Sequence, residues 1–268
     1  MHPIKELHYF DSLFHLRNPQ ALKDFSTRQL DRELKRRGLK TTEEEKLLPK
    51  QVQCYLRANR ILASRKIQSV DYYDLFRPCI QDFPWFGEIT PEYMLMSEQQ
   101  IIQAKSIIGA DKILPVMIVR KPRMRYLSAF KLSMIYGHDS NTISGRDSKK
   151  LLQLFKQHVR SDDGWNQCQD RYNSYIEATQ LWRKYFEDDF LVLSFDQLVK
   201  RPYETMSNLA DHAGLSLDRD TIHSLAKIKV NDVGVKFELD NEAQELCDQR
   251  FGAQEKLVNN FMGEELML

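Results

Sequence analysis

Residues 113–119 read Ile-Leu-Pro-Val-Met-Ile-Val and run directly into Arg120-Lys121-Pro122. A continuous apolar run that is rich in β-branched residues is typical of a strand buried in a parallel sheet. Pro122 suits the first turn of a helix, so the pattern predicts a strand that ends near Arg120 and a helix that follows it. A second apolar run, Phe190 to Phe195, lies between helical patterns. Strands that alternate with helices predict an α/β fold with a mainly parallel sheet.

The remainder of the chain is mostly helical in pattern. Pro19 to Lys66 is a long charged stretch with apolar residues at helical spacing, and we interpret it as a helical insertion with a capping box at Thr42 and Glu45. Short strands are predicted for Ile4 to Phe10 and for Trp85 to Thr90. Further helices are predicted over 97–109, 124–136, 149–159, 171–186, 203–213, 221–227 and 241–262.

The composition is that of a globular protein. The chain has 268 residues, of which 42% are hydrophobic, and its formal net charge is +1. We predict a single domain over residues 1–268. The small net charge argues against nucleic acid or an anionic membrane surface as a partner, because such binders usually carry a strong basic excess. Neither a signal peptide nor an apolar run of membrane-spanning length is visible, so we expect a cytoplasmic protein.

The cysteines indicate neither a disulfide framework nor a zinc site. Cys54, Cys79, Cys168 and Cys247 contain no C-x-x-C pair. We therefore interpret them as reduced thiols that act as small apolar residues, and we predict no metal.

The helix start after the first apolar run carries candidate anion-binding residues. Ligands of open α/β sheets bind at the carboxyl ends of strands, and helix N-termini favour phosphate. Arg120 stands at such a position, and its guanidinium can bind a phosphate bidentately. Arg125 and Ser128 are three residues apart on one helix face, so the Ser128 hydroxyl can add a donor. A solvated basic helix start is the alternative interpretation.

A second candidate lies near the N-terminus. In the predicted first strand, Glu6 and His8 point to the same face. A carboxylate beside an imidazole can remove a proton from an acceptor hydroxyl or amine. An edge strand with its polar residues outward is the alternative. The turn that carries Glu88 and Thr90 is a weaker candidate, and a helical stripe that starts at Tyr175 is better explained as core.

The order of these segments resembles the sulfotransferases that use 3′-phosphoadenosine-5′-phosphosulfate (PAPS), above all the bacterial members and the heparan-sulfate type. Those proteins carry, in order, KE-x-H-[FY]-F-D, GE-x-TP-x-Y, R-x-P-x-x-R-x-x-S, a Y-x-x-x-L-x-x-W-x-x-x-F helix and an E-D-L-x-x-x-P turn. Any one motif is weak, whereas five in the right order are fairly specific and span nearly the whole chain. The matching stretches here are KELHYFD (5–11), GEITPEY (87–93), RKPRMRYLS (120–128), YIEATQLWRKYF (175–186) and SFDQLVKRP (194–202).

The resemblance implies a three-layer fold like that of the P-loop NTPases, in which helices flank a mainly parallel sheet. It implies an enzyme that moves the sulfuryl group of PAPS to a hydroxyl or amine of a small-molecule or carbohydrate acceptor, without a metal. Arg120 and Ser128 match the positions that hold the 3′-phosphate of PAPS. Glu6 matches the general base, with His8 beside it.

The sequence departs from the family pattern at three positions. Glu88 and Thr90 match the turn that lines the substrate cleft, but Ile89 replaces the usual lysine between them. Lys121 stands where an acidic residue is common, and Thr179 stands where the helix motif has leucine.

The resemblance also implies an opening strand and a phosphate loop of the K-x-G-T-T kind before the KE segment, which here begins at Lys5. We expect this strand and loop to be missing, and the loss of even one such phosphate donor costs on the order of a hundredfold in rate. Two hypotheses follow. The chain is a PAPS-dependent sulfotransferase whose opening segment lies upstream of Met1, or it is a non-catalytic relative that binds a nucleotide or a partner. A nucleotide kinase is disfavoured, because no metal-binding carboxylate pattern supports it.

Overall fold

A computed structural model of the chain describes residues 4, 6–82, 85–136, 147–227 and 236–265. Lys5, in the first motif, lies outside the described residues. The chain divides into two compact units, Met1–Lys112 and Ile113–Leu268. Each unit buries apolar residues of its own, and the expectation of one domain over the whole chain stays a prediction.

The regular elements described in unit 1 are helices. They are α1 (Tyr9–Leu13), α2 (Pro19–Arg37), α3 (Thr42–Lys46), α4 (Lys50–Ser64) and α5 (Glu98–Ile108), with short 3₁₀ helices at Ile67–Ser69, Tyr73–Phe76, Cys79–Asp82 and Pro91–Leu95. Asn18 caps the start of α2, where its side chain accepts from the backbone N–H of Gln20, and Gly38 caps its end in the left-handed conformation. The predicted capping box at Ser97 is confirmed at the start of α5.

The first segment of unit 1 differs from the sequence-based expectation. Residues 6–8 belong to no strand and α1 begins at Tyr9, so the predicted strand from Ile4 to Phe10 is wrong. Tyr9 and Phe10 are consecutive and both buried, which a strand with one buried face cannot provide. The helical turn lets both rings pack against Tyr72.

Two smaller expectations for unit 1 are also wrong. The segment from Trp85 to Thr90 forms no strand, because side-chain hydrogen bonds of Glu88 hold it in place of a backbone ladder. The capping box within the insertion is formed by Thr41 and Glu44, one residue earlier than predicted.

Unit 2 places helices around a two-stranded parallel sheet. Strands β1 (Val116–Val119) and β2 (Leu191–Ser194) pair in register, so both predicted runs and their parallel pairing are confirmed. The fold is α/β in the broad sense that helices accompany a parallel sheet, although most of the described residues are helical. The helices are α6 (Pro122–Tyr136), α7 (Ser148–Arg160), α8 (Gly164–Arg171), α9 (Tyr175–Phe186), α10 (Phe195–Lys200), α11 (Pro202–His212), α12 (Arg219–Ala226) and α13 (Asn241–Glu265).

The strand β1 is buried on one face only. Met117 and Val119 are buried, whereas Val116 and Ile118 are 39% and 41% exposed. The helix α9 covers the buried face, where the Thr179 hydroxyl donates to Met117 Sδ at 3.6 Å. The expectation of a strand buried on both faces is therefore wrong for β1, because the described helices of unit 2 leave its other face open.

The helix predicted over 171–186 is shorter, since α8 ends at Arg171 and the helix within this range is α9, which begins at Tyr175. The break falls at Asn173, which is buried between α8 and α9 and accepts a hydrogen bond from Arg125 at 2.7 Å. The main core of unit 2 lies among α6, α7 and α13. It consists of Tyr126, Phe130, Phe155, Val159, Ala243, Cys247 and Phe251. In the described ranges, no helix combines the length and the apolar character needed to cross a membrane.

Candidate functional site

The first motif forms a tight turn in unit 1. His8 precedes α1 and has φ 54° and ψ 32°, a left-handed conformation that residues other than glycine seldom adopt. The carbonyl oxygen of Asp11 accepts from the backbone N–H groups of Leu16 and Arg17 at 2.8 and 3.1 Å. These bonds turn the chain back after α1 and bring the Arg17 side chain to the His8 ring.

Glu6, His8 and Asp11 form a carboxylate–imidazole–carboxylate line. The Nε2 atom of His8 lies 3.2 Å from Glu6 Oε2, and the Nδ1 atom lies 2.8 Å from Asp11 Oδ2. Asp11 is fully buried, and its other oxygen accepts from the backbone N–H of Ser12 at 2.9 Å. Glu6 keeps 37% of its side chain exposed. Glu6 is therefore the member that a dissolved molecule can reach, and Asp11 is the member that orients the ring.

The His8 ring is cationic at neutral pH. Burial acts to lower the pKa of His8, but hydrogen bonds with Asp11 and Glu6 outweigh it and raise the pKa to about 9. The contacts with Asp11 and Glu6 thus favour a proton on both ring nitrogens, whereas the close approach of the Arg17 guanidinium favours an unprotonated Nε2. Arg17 opposes this protonation, since its Nη1 atom lies 2.5 Å from Nε2 and 3.1 Å from Nδ1. The imidazolium stabilises negative charge on Glu6, the group that would accept a proton.

Glu92 brings a third carboxylate to the His8 ring. Its Oε2 atom lies 3.7 Å from His8 Nδ1, is shielded from solvent and has no hydrogen-bond partner among the residues that the structure describes. Burial raises the pKa of Glu92, whereas the charge on His8 acts to lower it. Potential ligand atoms of His8, Asp11 and Glu92 lie within 4.8 Å of one another, as a metal site would require, but Arg17 already sets a cation beside them. The absence of a metal stays a prediction.

Glu88 accepts hydrogen bonds from four donors in unit 1. Its Oε2 atom accepts from the backbone N–H of Leu7 at 3.1 Å and from the Thr90 hydroxyl at 2.8 Å. Its Oε1 atom accepts from the hydroxyls of Tyr93 at 2.6 Å and Tyr72 at 3.3 Å. Desolvation raises the pKa of Glu88 to about 7, although the hydrogen bonds act to lower it.

These bonds make Glu88 and Thr90 supports for the first motif. Thr90 is buried, and the bond to Leu7 fixes the backbone between Glu6 and His8. Contact of Glu88 or Thr90 with a substrate stays a prediction.

In unit 2 the candidate binding residue is Arg120. It follows β1 and is partly buried, and its guanidinium lies over the ring of Phe195, 4.5 Å from the centroid. With the described residues the guanidinium makes no ion pair and no side-chain hydrogen bond. Burial lowers the pKa of Arg120, and nearby Asp196 acts to raise it, although Asp196 pairs with Lys121 at 3.5 Å. A partly buried cation without a counter-ion, at the carboxyl end of a parallel strand, is a candidate anion site.

Arg125 lies on the following helix and is held by neutral groups. Its Nε atom donates to Asn173 Oδ1 at 2.7 Å and its Nη1 atom donates to Gln169 Oε1 at 2.8 Å. Burial raises the pKa of Tyr175, and the charges of Arg125 and Arg120 both act against that shift. We call Arg120 and Arg125 the arginine pair. In the described part of the chain, neither forms an ion pair with a carboxylate.

Ser128 lies further along α6. Its hydroxyl has no hydrogen-bond partner among the described residues, so it remains able to donate to a ligand. The structure joins Glu6 to His8 and Glu88 to Thr90, but it shows no contact between Ser128 and Arg120 in the described ranges.

Sequence reasoning missed several members of these sites. The spacing of His8 and Asp11 would have paired them on one face of a turn, but only if the segment had been interpreted as helical. Tyr72, Glu92 and Phe195 reach their partners across long sequence separations, and no local pattern signals such contacts.

No protein-family model matches the chain, and no curated protein or solved structure matches it either. The likeness to PAPS-dependent sulfotransferases therefore depends on the five motifs, and it stays a prediction.

Proposed function

We propose that the protein is a sulfotransferase that moves a sulfuryl group from PAPS to a hydroxyl or amine of a small-molecule or carbohydrate acceptor. The observation that carries the proposal is Arg120, a partly buried guanidinium without a described counter-ion. A cation that has lost part of its hydration and gained no ion pair is best stabilised by an anionic ligand.

The donor fits the residues of unit 2. In the proposal Arg120 binds the 3′-phosphate of PAPS and the Ser128 hydroxyl adds a hydrogen bond. Phe195 supports this role, because its ring holds the guanidinium without neutralising its charge. The two-stranded parallel sheet that ends at Arg120 is compatible with the three-layer P-loop-like core that the motifs imply.

In the proposal Glu6 is the proton acceptor. The acceptor's oxygen or nitrogen forms a bond to sulfur while the bond from sulfur to the phosphate oxygen breaks, and adenosine 3′,5′-bisphosphate leaves with that electron pair. The proton of the acceptor passes to the exposed carboxylate of Glu6. The His8 imidazolium, oriented by Asp11, stabilises Glu6 as an anion before the transfer.

One observation favours a second candidate function. In the described ranges no glycine-rich turn follows either strand, since β1 leads through Lys121 into Pro122 and β2 leads directly into Phe195. Such a turn would bind the 5′-phosphosulfate with backbone N–H groups. Without one, a protein that binds the nucleotide but transfers nothing is the alternative.

The test is an assay of adenosine 3′,5′-bisphosphate released from PAPS in the presence of sugar, phenol and amine acceptors. We expect turnover with at least one class of acceptor. We expect Glu6→Gln to lower turnover by about 10²- to 10⁴-fold, the range for loss of a general base, while the Kd for the nucleotide stays unchanged.

Glu43→Gln is the matched control, because Glu43 is an exposed carboxylate of α3 whose one ion pair in the described ranges is with Lys46. Full turnover by the Glu6 variant would remove Glu6 from the role of base. Nucleotide binding without transfer to any acceptor would favour the second candidate.

A further inference from the structure

The helices α2 and α4 of unit 1 border a cleft whose residues belong to neither candidate site. The two helices pack along each other, and the cleft between them has a volume of about 530 Å³, in the range that holds a small organic ligand. We call it the α2–α4 cleft. Its charged residues lie on α2 and its neutral residues lie on α4. They are Arg32, Glu33 and Arg36 on α2, and Gln51, Val52 and Tyr55 on α4.

The segment that forms this cleft is far more basic than the chain as a whole. Residues 19–66 contain 13 basic and 6 acidic side chains, a formal net charge of +7, whereas the whole chain carries +1. The rest of the chain is therefore acidic, with a formal net charge of −6. Such an uneven distribution gives the helical insertion a positive potential that attracts anions.

Both arginines of the cleft are oriented by neighbours on their own helix. Arg36 donates to Glu33 through Nε at 2.8 Å and through Nη2 at 2.6 Å. Arg32 donates to Gln29 Oε1, an atom that also accepts from the Tyr55 hydroxyl at 3.0 Å. A guanidinium that is already oriented loses less conformational entropy when a ligand binds.

The one carboxylate that lines the cleft does not neutralise it. Glu33 also accepts from Arg37 at 2.6 Å, so a single negative charge serves two guanidiniums. The hydrogen bond from Arg36 is the main cause that lowers the pKa of Glu33 to about 2, so this carboxylate is ionised at neutral pH. Arg32 is exposed and forms no ion pair with any residue that the structure describes. Arg32 is therefore the cation of the cleft that an anionic ligand can pair with.

We propose that the α2–α4 cleft binds a small aromatic phosphate monoester. The Arg32 guanidinium binds the phosphate oxygens, because its planar fork of N–H groups matches a phosphate with parallel hydrogen bonds. A dianion also suits a cleft that keeps excess positive charge. The aromatic body of the ligand packs on Tyr55 and Val52, the apolar part of the lining, and the Gln51 amide adds a neutral donor.

The test is an amide NMR titration of the full-length, ¹⁵N-labelled chain with 4-nitrophenyl phosphate. We expect saturable shifts of the Gln51 and Tyr55 amide signals, with a Kd of about 1 mM or below, the value for an efficient ligand of this size. An exposed ion pair alone binds weakly, so inorganic phosphate should bind at least about tenfold more weakly. The neutral analogue 4-nitrophenyl β-glucoside should give no saturable shifts.

Two substitutions assign the phosphate to Arg32. Arg32→Met removes the charge and keeps a helix-forming side chain, and we expect it to raise the Kd at least about tenfold, the effect of losing a hydrogen bond to a charged group. Arg65→Met is the matched control, because Arg65 is an exposed cation that follows α4 and does not line the cleft. Its Kd should equal that of the wild type. Arg120→Ala should also leave the Kd unchanged, so the result is independent of the proposed function.

Three results would overturn the proposal. The first is an absence of saturable shifts at Gln51 and Tyr55 in a wild-type chain whose amide spectrum shows it to be folded, a result that needs no variant. The second is an equal Kd for the wild-type and Arg32→Met chains. The third is an equal Kd for 4-nitrophenyl phosphate and either inorganic phosphate or the neutral glucoside.

Discussion

The two candidate sites differ in whether their charged side chains are paired with charges of opposite sign. In unit 1, Glu6, His8, Asp11, Glu92 and Arg17 form what we call the acid–imidazole cluster, in which three carboxylates surround one imidazolium and one guanidinium. In unit 2, the arginine pair has no carboxylate partner among the described residues. The first site is neutralised largely by its own members, and the second is left positive.

The contrast separates two kinds of site. A buried charge that has its partner is tied to folding, because removal of the partner leaves an unpaired charge. A partly buried cation without a partner contributes little to folding and gains most when an anion binds. We therefore expect substitutions in the acid–imidazole cluster to change stability, and substitutions of Arg120 to change binding.

The largest effect is expected from Asp11→Ala. Asp11 is fully buried and accepts from His8 Nδ1 at 2.8 Å. The variant therefore leaves the imidazolium next to Glu92 and Arg17 without its buried carboxylate partner. We expect the free energy of unfolding to fall by about 3–5 kcal/mol, measured by urea denaturation. Asp24→Ala, which removes an exposed carboxylate that accepts a hydrogen bond from Gln20 of the same helix, should cost less than about 0.5 kcal/mol. Equal losses in the two variants would contradict the account.

The next effect is a fall in stability with rising pH over two pH ranges, one set by Glu88 and one by His8. The folded-state pKa of Glu88 is raised from 4.5 to about 7 and that of His8 from 6.5 to about 9. In each window the native state holds a proton that the unfolded chain has lost, so stability falls as pH rises. We expect the free energy of unfolding to be highest below the lower pKa of each window and about 3 kcal/mol smaller above the higher one.

Two variants distinguish the contributions of Glu88 and His8. Glu88→Gln should flatten the change between pH 4.5 and 7, and His8→Gln should flatten the change between pH 6.5 and 9. Urea denaturation at half-unit pH intervals measures both. A wild-type chain that gains stability as pH rises through these windows would show the two shifts to be wrong in sign.

The smallest effect on stability is expected from Arg120→Met. Methionine can keep the contact with Phe195 and removes a charge that has no ion pair in the described part of the chain. We expect the free energy of unfolding to stay within about 0.5 kcal/mol of the wild-type value or to rise. A loss of 2 kcal/mol in thermal or urea unfolding would mean that Arg120 holds unit 2 together.

The sequence predicted those parts of the fold whose signal is local. The apolar runs around Val116 and Leu191 gave two parallel strands, and the Ser97 cap fixed the start of α5. Where tertiary contacts decide the structure, the prediction was wrong. Residues 6–10 form a turn and the start of α1 because Tyr9 and Phe10 are both buried. The alternation of apolar residues in the sequence does not reveal that.

The same limit applies to the candidate sites. Glu6 and His8 were identified as a pair, and the structure joins them, although through a left-handed turn at His8 and not along a strand face. The four donors to Glu88 include Leu7 and Tyr72, which belong to segments distant in the sequence. Only the folded chain reveals such contacts.

The measurement that tests the central claim most directly is a calorimetric titration with adenosine 3′,5′-bisphosphate, the desulfated donor. We expect binding to the wild-type chain, and we expect Arg120→Ala to weaken it by about 1.5–3 kcal/mol, the range for a hydrogen bond to a charged group. This equals roughly a 10- to 150-fold rise in Kd. Lys121→Ala is the control, because Lys121 is a neighbouring exposed cation that pairs with Asp196, and its Kd should change less than about threefold. Equal affinity of wild-type and Arg120→Ala chains, or no binding by the folded wild type, would contradict the account.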